Sequence, residues 1–336
     1  MAKLNTTYMG LELDNPIIVG ANNLMKKMDN IKKMEEAGAG AIVYRSLFEE
    51  QVQLEELQLT DEAQEYDERH AEMIDVFPDI HHAGPKAHLY QLEKIRKAIS
   101  IPLIASLNCI NKEVWVEYAK KIEDIGVDGL EINLYSLPYD INIEGGSIKK
   151  EHFDIVKQVK QAVSIPVSAK LSFFYTNPLN VIKTMDQSGL AGFVLFNRLF
   201  QPDIDISSQK HTRPFNLSST GDYKLPLRFT GLLYNNINAD ICASTGIFTG
   251  EDVAKMILAG AKAIQCVSTL YKNKISNIGQ MKRQLSDWMD NKNYGTLEDF
   301  RGKLSKDKVA DPFVYQRAQY VDILMNKEPI IKNYTR

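Results

Sequence analysis

The feature that most constrains this chain is a recurring phrase: a glycine closing a helix, a short step, then an apolar strand that ends in polar side chains. AGAGAIVYRS (37–46), IGVDGLEINLYS (125–136), SGLAGFVLFNR (188–198) and AGAKAIQCVST (259–269) all follow it. Glycine adopts the left-handed conformation that ends a helix, and an unbroken apolar run suits a strand buried on both faces. Such units, repeated, wind into a parallel sheet. In a closed parallel barrel the chemistry collects at the carboxyl ends of the strands, which is where these phrases place their polar residues.

Eight strands can be placed: 17–21, 41–46, 102–108, 129–135, 166–171, 192–197, 239–245 and 262–269. The count predicts an α/β fold, a (β/α)8 TIM barrel with helical additions. Helical spacing of apolar residues supports the intervening helices, as in WVEYAKKIEDIG, HFDIVKQVKQAV and EDVAKMILAG. Ile101-Pro102 and Ile165-Pro166 stand where a helix hands over to a strand, since proline cannot continue a helix but is tolerated at a strand's first residue. At 336 residues and 44% hydrophobic content, residues 1–336 read as a single barrel domain.

A net charge of −3 gives no electrostatic case for nucleic acid or for an anionic membrane, so a small-molecule substrate is the expectation. Cys109, Cys242 and Cys266 lack CxxC spacing and read as small core residues, which suits a reducing cytoplasm. MAKLNTTYMG has no apolar signal core, and no run approaches 18 apolar residues; a cytoplasmic protein is expected.

Two segments break the rhythm. An acidic, helical insertion is expected at about 49–90, where residues 49–75 carry eleven Asp or Glu against one Arg. A solvated helical face is the expected reading of such a run, with an acidic docking surface as the alternative. His81, His82 and His88 follow, but no Cys or carboxylate stands at a familiar ligand spacing, and no metal site is expected. The second break, 199–226, is too long for an ordinary connection and reads as an active-site loop. From about 273 the chain reads as helices outside the barrel, NIGQMKRQLSDWMD and VYQRAQYVDILM among them.

The strand ends form a polar ring: Arg45 and Ser46, Asn108, Asn133 with Ser136 beyond it, Lys170, Asn197 with Arg198, then Ser244, Thr245 and Gly246, and last Ser268 and Thr269. ASTGIFTGED (243–252) places Gly246 and Gly250 around a helix start with Thr249 as N-cap, where backbone N–H groups can meet an anion. Together with Ser268 and Thr269 this is the usual phosphate site of a barrel.

LNTTYMGLELDNPIIVGA, EINLYSLP, SAKLS, VLFNR and the pair ASTGIFTGED…AIQCVSTLY together resemble the dihydroorotate dehydrogenase family of FMN-dependent barrels, from about residue 4 to residue 305. The resemblance implies that FMN binds with its phosphate at Thr245, Gly246, Ser268 and Thr269. It sets the ring near the backbone of Gly20 and Ala21 and near the side chains of Arg45, Ser46, Asn108, Asn133, Lys170 and Asn197. Lys170 has a physical role as well: a cation at the N1–C2=O edge of the ring favours the negative charge of reduced flavin. The family reaction draws a proton from C5 of dihydroorotate, in pyrimidine biosynthesis, while the C6 hydrogen passes to flavin N5. Ser136 occupies the position of the family's base, three residues after Asn133, making Ser136 and Lys170 the expected catalytic pair. The resemblance assigns substrate contacts to Asn133, Asn197 and Arg198 and implies a homodimer; with no N-terminal amphipathic or apolar extension to reach a membrane quinone, a soluble electron acceptor is expected.

Four departures bear on the substrate. Pro138 stands where the motif's second asparagine would hold the pyrimidine, and Arg45 replaces a lysine. The asparagine-bearing segment expected after the second strand gives way to the acidic run and the His81–His88 stretch. LSSTGDYKLPLR replaces the glycine-rich phrase after the sixth. The cofactor half of the family pattern is kept and the substrate half rewritten. An FMN oxidoreductase for another small cyclic or unsaturated substrate, and an FMN-binding protein with little catalysis, remain alternatives.

Overall fold

A computed structural model describes residues 2–48, 85–108, 112–134, 140–198, 201–212 and 217–316, with Met325. Most of the acidic insertion, with His81 and His82, lies outside the described residues, as do Cys109, Ser136, Pro138 and residues 317–324 of VYQRAQYVDILM. The chain opens with a hairpin of β1 (Thr6–Tyr8) and β2 (Leu11–Leu13), then enters the barrel through β3 (Ile17–Val19), α1 (Met28–Glu36) and β4 (Ala41–Val43). β5 (Leu47–Phe48), α2 (Pro85–Ala98), β6 (Leu103–Asn108), α3 (Lys112–Asp124), β7 (Gly129–Leu134), α4 (Gly145–Ala162) and β8 (Val167–Leu171) follow. Then come α5 (Pro178–Asp186), β9 (Gly192–Leu195), a hairpin of β10 (Asp203–Asp205) and β11 (Lys210–Thr212), and α6 (Lys224–Leu233). The barrel ends with β12 (Asp240–Ser244), α7 (Gly250–Ala259) and β13 (Ala263–Cys266), after which α8 (Ser268–Asn273) and α9 (Asn277–Asn291) pack outside it.

Parallel pairing runs β4, β3, β13, β12, β9, β8, β7, β6 and closes by β6 on β4, which is the eight-stranded barrel expected from the sequence. All four glycines of the recurring phrase have positive φ: Gly38 (88°), Gly126 (81°), Gly189 (78°) and Gly260 (122°). Only glycine holds that conformation without strain, so each unit turns from helix to strand where the phrase says it should. A second device repeats at the Ser-Ile-Pro turns. Glu35 accepts from Ser100 N and Oγ and from Ile101 N, and Glu123 does the same for Ser164 and Ile165. Each helix end thereby clasps the turn that leads into a later strand.

Two features differ from the sequence reading. The second strand is interrupted: β4 and β5 flank Tyr44–Ser46, and the three residues between Val43 and Leu47 face the two between Ile104 and Leu107. One extra residue makes a bulge, the device that re-aims side chains beside active sites, and here it carries Arg45 and Ser46. The N-terminal phrase forms a plug. A two-residue turn with Met9 and Gly10 both at positive φ closes the β1–β2 hairpin, whose Tyr8, Met9 and Leu13 fill the amino end of the barrel against Ile18, Val43, Ile104, Val194 and Cys242. Met9 N donates to Asp240 Oδ2 at 2.9 Å, and Arg301 donates to Thr6 Oγ1 at 3.0 Å, so the plug is fixed from two sides.

Candidate active site

Alternation along parallel strands decides what enters the barrel. Leu130, Ile132 and Leu134 of β7 join the core between sheet and helices, which turns Glu131 and Asn133 inward; Ala169 and Val167 of β8 do the same for Ser168 and Lys170. Towards the amino end the interior is apolar. Towards the carboxyl end it becomes polar within two residues, and there the strand ends open into a cleft of about 510 Å³, within the range of small-ligand sites.

The floor of the cleft is cross-linked. Lys170, only 8% exposed, donates to Gln265 Oε1 at 3.1 Å, and its ammonium stands 3.8 Å from buried Glu131. Asn197 Nδ2 donates to Asn133 Oδ1 at 2.7 Å, joining the ends of β9 and β7 across β8. Ser46 and Ser106 share a hydrogen bond of 2.7 Å, which ties the bulge to β6 below Asn108. Arg45 lines the cleft with its buried Nε unpartnered, and Ala21 and Asn22 line the side next to β3.

The wall comes from the loops after β12 and β13. Thr245 and Gly246 have φ of 84° and 78°, and a Cβ on Gly246 would stand 2.3 Å from the Tyr223 backbone nitrogen, so the turn requires glycine. Thr245 is the strained residue of the pair, a β-branched side chain in the left-handed region, held by its Oγ1 donating to Phe196 O at 3.0 Å. Beyond it Thr249 caps α7 in a full capping box with Asp252, as its sequence suggests. Ser218 staples the two loops: its Oγ accepts from Gly246 N at 3.3 Å and its N–H donates to Ser268 Oγ at 2.9 Å.

Most residues named from the sequence therefore meet at this cleft, including Asn108, Asn133, Lys170, Asn197 and Arg198 on the floor and rim and Thr245, Gly246 and Ser268 on the wall. Two do not line it. Thr269 is fully buried, and its hydroxyl accepts from Asn273 and Asn277, because residues 268 and 269 begin α8 rather than end a strand. Gly20 lies beneath the floor, with its carbonyl taken by Asn22 Nδ2 at 2.7 Å and its N–H donating to Cys266 O. Ser136 lies outside the described residues. Arg198 is engaged by Asp222 at 2.6 Å, which joins the two ends of the 199–226 segment. That segment holds the exposed β10–β11 hairpin, and its last three residues belong to α6.

Sequence reasoning missed Glu131, Gln265, Ser106 and Ser218. The first three carried a signal: each is a polar residue inside an apolar strand run at the inward parity of its neighbours. His88 packs inside the fold as well. It is 1% exposed against Tyr44, and burial together with Arg45 lowers its pKa to about 3, keeping it neutral.

The cleft has the donor set a flavin phosphate and ring require: a sharply turned glycine loop at one end, and at the other a buried ammonium among asparagine amides. A family model described as dihydroorotate dehydrogenase matches residues 3–289. A relative from Thermoplasma volcanium, the catalytic subunit of dihydroorotate dehydrogenase B (NAD(+)), is 28% identical over 308 residues, covering 90% of this chain and 98% of its own length. The subunit of the same name from Methanocaldococcus jannaschii is 25% identical, covering 89% and 97%. A dihydroorotate dehydrogenase A (fumarate) from Lactobacillus delbrueckii is 29% identical over 196 residues, 55% of this chain and 62% of its own. The family match spans every barrel strand and the cleft above them, and the chain belongs to the dihydroorotate dehydrogenase family of oxidoreductases acting on CH–CH groups.

Proposed function

We propose that this chain binds FMN in the cleft and oxidises dihydroorotate or a closely related dihydropyrimidine. The observation that carries the reading is Lys170: a buried ammonium at a strand end, beside the Asn133–Asn197 pair and facing a glycine loop suited to phosphate. FMN bound here would supply the two-electron acceptor for the substrate's C6 hydrogen. Lys170 then stabilises negative charge at the pyrimidine edge of the ring, where an ammonium in a poorly hydrated site acts more strongly than in water. Asn197 gives one amide N–H to the Asn133 oxygen, so the two amide N–H groups of Asn133 and the second of Asn197 remain to meet ring or substrate oxygens. Thr245, Ser218 and Ser268 would hold the phosphate end, Thr245 through its backbone N–H and the serines through hydroxyls, while Gly246 shapes the turn and gives its own N–H to Ser218 Oγ. Ser136, three residues beyond Asn133, takes the C5 proton; a serine does this only with a relay to a stronger base. The relatives' names, NAD(+) and fumarate, support a soluble acceptor.

One observation favours a different small cyclic substrate. Arg198, the residue best placed to grip an orotate carboxylate, is already paired with Asp222. Pro138 also removes an amide partner. Each ligand polar atom left unpaired costs roughly 1–3 kcal/mol, so two losses imply about a hundredfold in affinity. Titrating FMN-loaded protein with orotate, followed by flavin absorbance, separates the two. Weak binding together with fast reduction by another dihydropyrimidine selects the related substrate, and low-micromolar binding selects dihydroorotate.

A further inference from the structure

Glu131 is a buried carboxylate for which the proposed reaction has no direct use. It lies on β7 two residues below Asn133, on the same inward face, and is 1% exposed. Its Oε2 accepts from Gln265 Nε2 at 2.5 Å, and Gln265 Oε1 accepts from Lys170 Nζ at 3.1 Å. Its Oε1 has no hydrogen-bond partner and faces the Lys170 ammonium from 3.8 Å. The direction of this relay is forced. Lysine only donates, so the amide must turn its oxygen to Lys170, and its nitrogen then needs an acceptor, which Glu131 provides.

Packing alone does not call for a carboxylate here. Ile104, Val194 and Cys242 fill the same interior without charge. Burying a charge is costly, and replacing a buried ion pair by apolar residues is often neutral or stabilising. What the carboxylate changes is the field of its neighbour. We propose that Glu131 is a positioning residue that sets the reduction potential of the bound flavin: through Gln265 it fixes the Lys170 ammonium at the cleft floor, and by its own charge it offsets part of that cation. The inference rests on the FMN reading above. A free cation under the pyrimidine edge would make reduced FMN too stable to pass its electrons on, and an absent one would make it too hard to reduce. The pair holds the site between those extremes.

The test is the equilibrium of purified holoprotein with a reference redox dye, read by absorbance under anaerobic conditions. Glu131→Gln keeps an acceptor for Gln265 and removes only the charge. At a fixed dye poise its ratio of reduced to oxidised FMN should rise about tenfold or more over the parent's, since Lys170 is then uncompensated in a site of low dielectric. Lys170→Gln should move the ratio by a similar factor the other way, and the double variant, which strands no charge, should return to within about threefold of the parent. Should Glu131→Gln fail to fold, Glu131→Met removes the same charge at similar volume and carries the same expectation. A variant lacking the Glu131 charge that binds FMN and gives a ratio within about twofold of the parent's overturns the proposal. Parent protein that takes up no FMN overturns the reading of the cleft, and the inference with it.

Discussion

The two ends of this barrel are built from the same eight strands and could hardly differ more. At the amino end the β1–β2 hairpin seals the interior with Tyr8, Met9 and Leu13, all nearly inaccessible. At the carboxyl end, two residues further along each strand, the interior holds the Glu131–Gln265–Lys170 relay and, beside it, the Asn133–Asn197 pair, beneath an open cleft. A parallel barrel allows this because every strand points the same way, so a two-residue step along the chain moves the inward side chain from one layer to the next. The closed end supplies stability, and the open end spends some of it on buried charge.

If that division holds, substitutions at the two ends should fail differently. The largest effect belongs to the open end. Ser136→Ala should leave FMN bound and slow substrate-driven flavin reduction by about two to four orders of magnitude, measured in anaerobic stopped flow. A rate within threefold of the parent would assign proton transfer to another group. At the closed end Tyr8→Ala should lower unfolding free energy by roughly 3–5 kcal/mol through the cavity it leaves, while FMN affinity of the folded fraction is unchanged. Loss of FMN affinity in step with stability would show that the ends are coupled.

A smaller effect is expected from pH. His152 is buried against the Tyr175 hydroxyl at 2.6 Å, and burial lowers its pKa to about 4. The unfolded chain, with an ordinary histidine pKa near 6.5, binds the proton first, so stability should fall as pH drops from about 6.5 towards 4, by at most about 1.4 kcal/mol per pH unit from this residue. His152→Gln should flatten that stretch of the pH–stability curve. An unchanged slope would place the proton uptake on other groups. Smallest is the cap beyond the Thr245–Gly246 turn: Thr249→Ala should cost about 1 kcal/mol in denaturant unfolding, and a cost near zero would mean that packing of α7 alone sets its start.

The barrel was legible because its punctuation is covalent in origin. Glycines at positive φ and prolines at strand starts act locally, and the structure places all four phrase glycines as their sequence suggests. The polar ring was legible for the same reason, since each of its members ends an apolar run. The relay behind it was less so. Glu131 and Gln265 look like interruptions of apolar runs until the inward parity of Asn133 and Lys170 is applied to them. The plug left little trace, because three-residue strands around Met9-Gly10 lack both the length and the Asn-Gly turn that announce a hairpin. The hairpin of β10 and β11 is hidden differently: its exposed DID and KHT strands show no buried face to read. Thr269 was misplaced by one helix start, since the sequence cannot show that the chain turns into α8 at Ser268.

The presence of Glu131 also changes how Lys170 can be probed. Lys170→Ala strands a buried carboxylate, so lost stability and lost flavin reduction arrive together, and that variant alone does not separate folding from chemistry.

The central claim, that the open end is a flavin site turning over a dihydropyrimidine, is tested most directly by adding dihydroorotate and its analogues to the purified protein without oxygen and following the flavin absorbance. The account expects yellow protein that releases stoichiometric FMN on denaturation and is bleached by at least one of these substrates. Colourless protein that takes up no added FMN would contradict it at the root, and FMN-loaded protein that no dihydropyrimidine bleaches would contradict the chemistry assigned to Ser136 and Lys170.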